Sequence, residues 1–122
     1  MNFRLKTSKY TAEKLKQLQG ATGLTPNILA RIAVSLALRQ PETPTEQVLD
    51  INGLDFNRST LTGEHDFIYK ALITQHCGQE ISDEEYFPNL FNSYLEHGIR
   101  VLANEYQHAG NYEKLVINLL HQ

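Results

Sequence analysis

Apolar residues recur at helical spacing near the start of the chain. Leu15 and Leu18 fall on one face of a helix, for which Thr11 is the predicted N-cap and Gly20 or Gly23 the predicted end. The preceding residues 2–7 instead alternate polar and apolar side chains, which is the period of a short half-buried strand. For so brief a segment a frayed extended arm is an equal alternative.

The next helical segment is apolar on nearly every side. It begins at Pro26, after the predicted N-cap Thr25, and ends at Arg39. Only Arg31, Ser35 and Arg39 are polar in its body, and they share one narrow strip because they are four residues apart. Such a helix must be buried nearly all round. It is therefore either the central core helix or an oligomer interface.

The rest of the chain continues this helical pattern after a turn-rich stretch. The remaining predicted elements are a turn of helix at 45–49, a helix from Asp66 to near Gly78, a capping box at Ser82 and Glu85, a helix restart at Pro88, a long helix to about His108, and a short last helix around Leu115–Leu120. The pattern predicts an all-α protein of four to five helices in a compact bundle, with a ribbon–helix–helix-like N-terminal part.

Composition changes this picture chiefly through charge. The 122 residues suit a single domain, 1–122, and their formal net charge is −3. Residues 1–40 hold seven basic residues and one acid, a net charge of +6, whereas residues 41–122 hold four basic residues and thirteen acids, a net charge of −9. We therefore distinguish a basic head (1–40), a turn-rich connection (41–65) and an acidic helical body (66–122). Such asymmetry points to a polyanionic partner for the head.

No motif typical of catalysis or of a metal site emerges. No two of the five histidines have the i, i+4 spacing of a helical zinc site, and the acidic residues of 50–55 lack the spacing of a calcium loop. Cys77, next to His76, is more typical of a small buried apolar residue than of an activated thiolate. We predict a non-enzyme without catalytic residues, metal or cofactor. The absence of a long apolar run or signal core predicts a cytoplasmic protein with no membrane partner.

Basic side chains of the head are the candidate binding residues. The five are Arg4, Lys6, Lys9, Lys14 and Lys16. Arg4 and Lys6 would point the same way from a strand, but Lys14 and Lys16 lie roughly 160° apart on a helix. Because that spread is too wide for one reading face, we predict contact with DNA phosphates rather than base readout. A solvated basic face is the alternative.

The order of arm, helix, glycine-containing turn and apolar helix resembles the ribbon–helix–helix DNA-binding module. In that family two strands pair across a dimer and enter the major groove, and Arg4 and Lys6 would be the groove-facing residues. A sequence-specific transcriptional regulator is therefore one alternative function. A protein adaptor, whose head binds an acidic surface, is another.

Three segments are similar to segments characteristic of the DndE family: FRLKTS (3–8), ATGLTPNILAR (21–31) and LTGEHD (61–66). These small proteins belong to the bacterial DNA phosphorothioation system, in which sulfur replaces a non-bridging oxygen of the DNA backbone. The resemblance implies an accessory subunit that binds double-stranded DNA, nicked duplex in particular, and works with a PAPS-reductase-like protein and an ATPase. It also implies a homo-oligomer, expected to be a tetramer, whose interface residues would be Gly20, Gly23, Ala30, Ala33 and Ala37.

Overall fold

The computed structural model describes residues 3–44 and 46–120. Its elements in chain order are β1 (Arg4–Lys6), α1 (Lys9–Thr22), α2 (Pro26–Leu38), β2 (Asp55–Asn57), α3 (Arg58–Leu61), α4 (Asp66–Cys77), α5 (Phe91–Ala109) and α6 (Tyr112–Leu120). The predicted all-α class is confirmed, with one strand pair added. Asn2, Thr45 and His121, each part of a prediction above, lie outside the described residues, and residues 46–49 form no helix.

The N-terminal segment is a strand, and its partner belongs to the same chain. β1 pairs antiparallel with β2, with Leu5 opposite Phe56, and both side chains are buried. The carbonyl of Lys6 accepts a hydrogen bond from Asn92 Nδ2 at 3.0 Å. The strand–helix–helix order is thus present, but the fold supplies the strand with an intrachain partner, unlike the dimer-spanning ribbon of the ribbon–helix–helix module.

α1 begins three residues earlier than the sequence pattern predicted. Ser8 is the N-cap, because its extended backbone lets Oγ accept from the Thr11 amide at 3.0 Å. Thr11 is instead buried inside the helix. At the other end Gly23, at φ 77°, is the C-cap, which leaves Gly20 within the helix.

The most extensive packing in the described structure joins α2 to α5. Ala30, Ala33 and Ala37 of α2 have 0% exposure. A Cβ at Gly98 of α5 would lie 1.7 Å from the Ala33 carbonyl oxygen, so only glycine permits this approach. α2 is therefore the core helix. The three alanines, predicted as oligomer-interface residues, are buried within the chain itself.

The C-terminal helices follow the sequence pattern closely. α4 ends at the C-cap Gly78, which has φ 73°. The capping box is present, since the Glu85 amide donates to Ser82 Oγ at 3.1 Å and the Ser82 amide donates to Glu85 Oε1 at 3.0 Å. The helical path is interrupted at Phe87, whose peptide bond to Pro88 is cis, before α5 continues.

A buried arginine ties the middle of the chain together. Arg58 is 5% exposed. Its Nε and Nη2 donate to Asp66 at 3.0 and 2.7 Å, and its Nη1 and Nη2 donate to Asp83 at 3.1 and 2.7 Å. The guanidinium also lies 4.8 Å from the ring centroid of Phe87 and 5.2 Å from that of Tyr86. One side chain thus joins α3, the start of α4 and the segment before α5.

The network lowers the pKa of both carboxyl groups. Burial by itself raises the pKa of Asp66, but hydrogen bonds from Arg58 and Thr62 outweigh it and hold that pKa below its usual value. For Asp83 the hydrogen bonds from Arg58 are the main cause of the lowered pKa. Both carboxylates therefore stay charged to a lower pH than ordinary aspartates and remain counter-ions of the Arg58 guanidinium.

We expect Gly98→Ala to destabilise the protein strongly. Helix propensity alone would make alanine more stable by about 0.5–1 kcal/mol. The overlap with the Ala33 carbonyl reverses that sign, at a cost of about 3 kcal/mol. The control is Gly20→Ala, where a Cβ meets nothing within 4 Å in the same chain and this steric cost is absent. Urea denaturation measures both free energies of unfolding. Equal effects of the two substitutions would contradict the close packing.

We expect Asp83→Asn to lower the free energy of unfolding at pH 7. We also expect the variant to lose less of that free energy than the unmodified protein when the pH is lowered. A carboxyl whose pKa is lower in the folded than in the unfolded state stabilises the fold above about pH 4. That stabilisation disappears as the pH falls through the lowered folded pKa. Denaturation between pH 7 and pH 2 checks this, with the exposed Glu64→Gln as the control. If Asp83→Asn loses stability in acid as steeply as the unmodified protein, the Arg58 network makes no contribution to the pH dependence of stability.

Candidate nucleic-acid interface

Arg4 and Lys6 lie on the exposed face of β1, with the buried Leu5 between them. Arg4 Nη1 is 3.8 Å from an Asp55 carboxylate oxygen, and the two side chains are 65% and 46% exposed. In so exposed a pair the attraction is weak, so the arginine can exchange this partner for another anion. Both basic residues line a groove of about 380 Å³ beside Asn92. The strand thus presents two cations in the same direction, as the sequence pattern predicted.

Lys9 and Lys16 share a second surface, the exposed side of α1. They are seven residues apart, which places them on one face with the exposed Glu13 between them. The start of this helix is held by Asp50, whose Oδ2 accepts from the Lys9 amide at 3.0 Å. Backbone hydrogen bonds from Lys9 and Asn52 lower the pKa of Asp50. The acidic turn at Asp50 therefore supports the helix that carries the lysines.

Lys14 belongs to a third surface, between α1 and α5. Its ammonium lies 5.6 Å from the ring centroid of Tyr10. The guanidinium of Arg100 lies 4.3 Å from the same centroid, and Arg100 Nη2 donates to Glu96 Oε1 at 3.2 Å. Tyr10, Lys14 and Arg100 line a groove of about 960 Å³. Sequence reasoning missed Arg100 because it is separated from Lys14 by most of the chain and was counted with the acidic body.

Glu96 fixes the position of α1 against α5. Its Oε2 accepts from the hydroxyl of Ser8 at 2.7 Å and from the hydroxyl of Thr11. The same Ser8 oxygen caps α1. Both oxygens of this carboxylate thus accept hydrogen bonds, one from two hydroxyl groups and the other from Arg100. The first turn of α1, which carries Lys9 and Tyr10, is therefore held in a defined place on α5.

The five predicted binding residues thus occupy three neighbouring directions rather than one face. Arg4, Lys6, Lys9 and Lys16 are exposed and Lys14 is half-buried. Gly20 and Gly23 are also exposed, and a Cβ at either would meet nothing within 4 Å. Of the ten predicted site residues, only Ala30, Ala33 and Ala37 are fully buried.

His76 and Cys77, the residues considered above for metal binding or a reactive thiolate, instead make structural contacts. His76 Nδ1 is 2.6 Å from the Tyr94 hydroxyl and its Nε2 is 2.7 Å from the Gln40 carbonyl, so the ring joins α4, α5 and the turn after α2. Burial raises the pKa of Tyr94 to about 12. Cys77 is half-buried, with Sγ 3.7 Å from the Thr74 carbonyl. Over residues 3–44 and 46–120 no three His, Cys, Asp or Glu side chains are grouped to hold a metal ion.

No single helix within these ranges is long and apolar enough to cross a membrane, and the pair α1 and α2 meets that test only jointly, with a bend of 110°.

The fold and its surface define a small, mostly helical protein with a short strand pair and a basic N-terminal surface. Residues 4–110 match the family described as DNA sulphur modification protein DndE. The chain belongs to this DndE family. Among curated protein sequences no match is found.

Solved structures of DndE share this fold. One is the crystal structure of DndE from Escherichia coli B7A, involved in DNA phosphorothioation modification. It is 26% identical, with 84% of this chain and 97% of that chain covered and a TM-score of 0.67. Another is a DndE variant with two glycines replaced by lysine, likewise involved in DNA phosphorothioation. It is 23% identical, with 85% and 99% covered and a TM-score of 0.67. At that identity the second similarity concerns the fold alone.

Proposed function

We propose that this protein is an accessory subunit of DNA phosphorothioation that binds the backbone of double-stranded DNA without sequence preference. The observation that carries the proposal is its membership of the DndE family over residues 4–110. The similarity to the Escherichia coli B7A protein covers nearly all of that chain, which supports the same role for the whole fold.

The surface chemistry supports backbone contact. Lys6, Lys9 and Lys16 are exposed, and no ion pair joins them to a carboxylate of residues 3–44 or 46–120. Neutralising phosphates with such cations releases counter-ions, which yields affinity that depends on salt and not on base sequence. Because the cations point in three directions, they suit a curved backbone better than the edges of a few base pairs.

The protein is proposed to act without catalytic residues, cofactor or metal of its own, in the cytoplasm, where the DNA is modified. Its proposed protein partners are the PAPS-reductase-like and ATPase components of the system. The acidic body (66–122) holds three basic residues and eight acids, a net charge of −5, so it would repel DNA and can contact basic surfaces of those partners. This division assigns DNA to the head and protein contacts to the body.

We expect Lys16→Glu to weaken duplex binding and lower its salt dependence. If all five basic residues contact phosphates, the slope of log affinity against log salt is about −4.5 per protomer, and each lost contact removes about 0.9. The matched control is Lys114→Glu, an exposed reversal of the same charge on α6. Fluorescence anisotropy on intact and nicked duplexes across a salt series measures both slopes.

Three outcomes would contradict the proposal. Equal slopes for the two variants would remove Lys16 from the interface. Strong preference for one duplex sequence that depends on Arg4 and Lys6 would favour the transcriptional regulator. Failure of the unmodified protein to bind any duplex at low salt would favour the adaptor, whose head binds an acidic protein surface.

We also propose that the protein forms a homo-oligomer, a tetramer, through the surface at Gly20 and Gly23. Both glycines leave open space where another helix can approach closely. Repetition of a weak basic surface over several protomers multiplies phosphate contacts and raises avidity.

Light scattering tests the assembly. We expect a mass several times the 13.9 kDa of one chain, and a shift toward one chain in Gly20→Gln, because the longer side chain fills the open space. Lys114→Gln on α6 should leave the mass unchanged. A single-chain mass for the unmodified protein would contradict the proposed assembly.

A further inference from the structure

Arg100 is the cation that the fold places most unexpectedly. It belongs to the acidic body by sequence, yet its guanidinium lies 4.3 Å from the ring centroid of Tyr10 in the basic head. Lys14 lies 5.6 Å from that centroid, so the two positive charges are no more than about 10 Å apart. This separation is comparable to the Debye length at physiological salt. An anion beside Tyr10 therefore lies within the electrostatic range of both charges.

The arginine is held in place but retains free donors. Its Nη2 donates to Glu96, whose other oxygen accepts from Ser8 and Thr11. Stacking on Tyr10 restricts the plane of the guanidinium. A guanidinium has five N–H donors, and a flat, oriented fork of this kind matches two oxygens of a phosphate. The Arg100 side chain is 57% exposed, so these remaining donors reach solvent.

The groove around this pair offers polar side chains as well as charge. It has a volume of about 960 Å³, and its lining includes Gln17, Asn104 and Gln107 together with one carboxylate, Glu105. Lys14 and Arg100 are the cations of the lining, and Glu96, which pairs with Arg100, lies outside it. Amide side chains and a positive charge suit an anion whose oxygens accept several hydrogen bonds.

We propose that the groove between α1 and α5 is a phosphate-binding site, with Arg100 as its anchor, and that its ligand is a backbone phosphate of the bound nucleic acid. This rests on the proposed DNA binding and extends it, since the contact surface then runs from β1 across α1 to α5. The acidic body then contributes one cation to the interface, Arg100, which stacks on Tyr10 of the basic head.

The first test compares the removal of one positive charge inside the groove with the removal of one outside it. Arg100→Gln should reduce duplex affinity about fivefold at 0.1 M salt and lower the salt slope by about 0.9. Lys114→Gln removes the same charge outside the groove and should change neither quantity. Arg100→Lys retains the charge but not the fork, and should fall between the two. If Arg100→Gln binds like the unmodified protein, the proposed site is wrong while DNA binding by the head stands.

The second test separates this site from the function of the whole protein. NMR follows the Nε–H resonance of Arg100 during titration with inorganic phosphate alone. A saturable shift that Arg39 does not share supports the phosphate site, even if the unmodified protein binds no duplex and the proposed function fails. In that case the phosphate comes from a ligand other than DNA. No shift with either inorganic phosphate or duplex overturns the inference.

Discussion

The buried guanidinium of Arg58 is the constraint on which the arrangement of the middle of the chain depends. A charge removed from water must be paired and hydrogen-bonded, and here two carboxylates on separate segments accept from it. Meeting that requirement sets the start of α4 beside the segment that leads into α5. The Arg58 amide also donates to the Phe3 carbonyl at 2.7 Å, which ties the network to the strand that carries Arg4 and Lys6.

A second constraint is steric and acts at the centre of the core. The approach of α5 to α2 at Gly98 brings two backbones into contact, and α1 is then fixed to α5 by hydroxyl bonds to Glu96. These contacts explain why residues of the head and the body share one groove. It is therefore helix packing that places Arg100 beside Tyr10.

Much of the local structure was predictable from short-range chemistry. Thr25 with Pro26, the glycine at position 78 and the pair Ser82 and Glu85 marked helix ends where the structure has them. The start of α1 was misplaced because two hydroxyl residues three positions apart could each cap the helix. Thr11 is engaged by Glu96, 85 residues away, and no local pattern reveals such a partner.

By itself the sequence determined the helical class, most helix ends, the contrast between a basic head and an acidic body, and the resemblance to the DndE family. The helical class, the helix ends and the charge contrast depend on periodicity, capping and composition, which are properties of neighbouring residues, and the resemblance depends on three short segments. Only the tertiary structure decided that the small residues of α2 pack against Gly98, that β1 pairs within the chain, and that Arg100 joins the basic surface. Each of these depends on contacts between residues distant in sequence, whose partners are defined only once the backbone has folded.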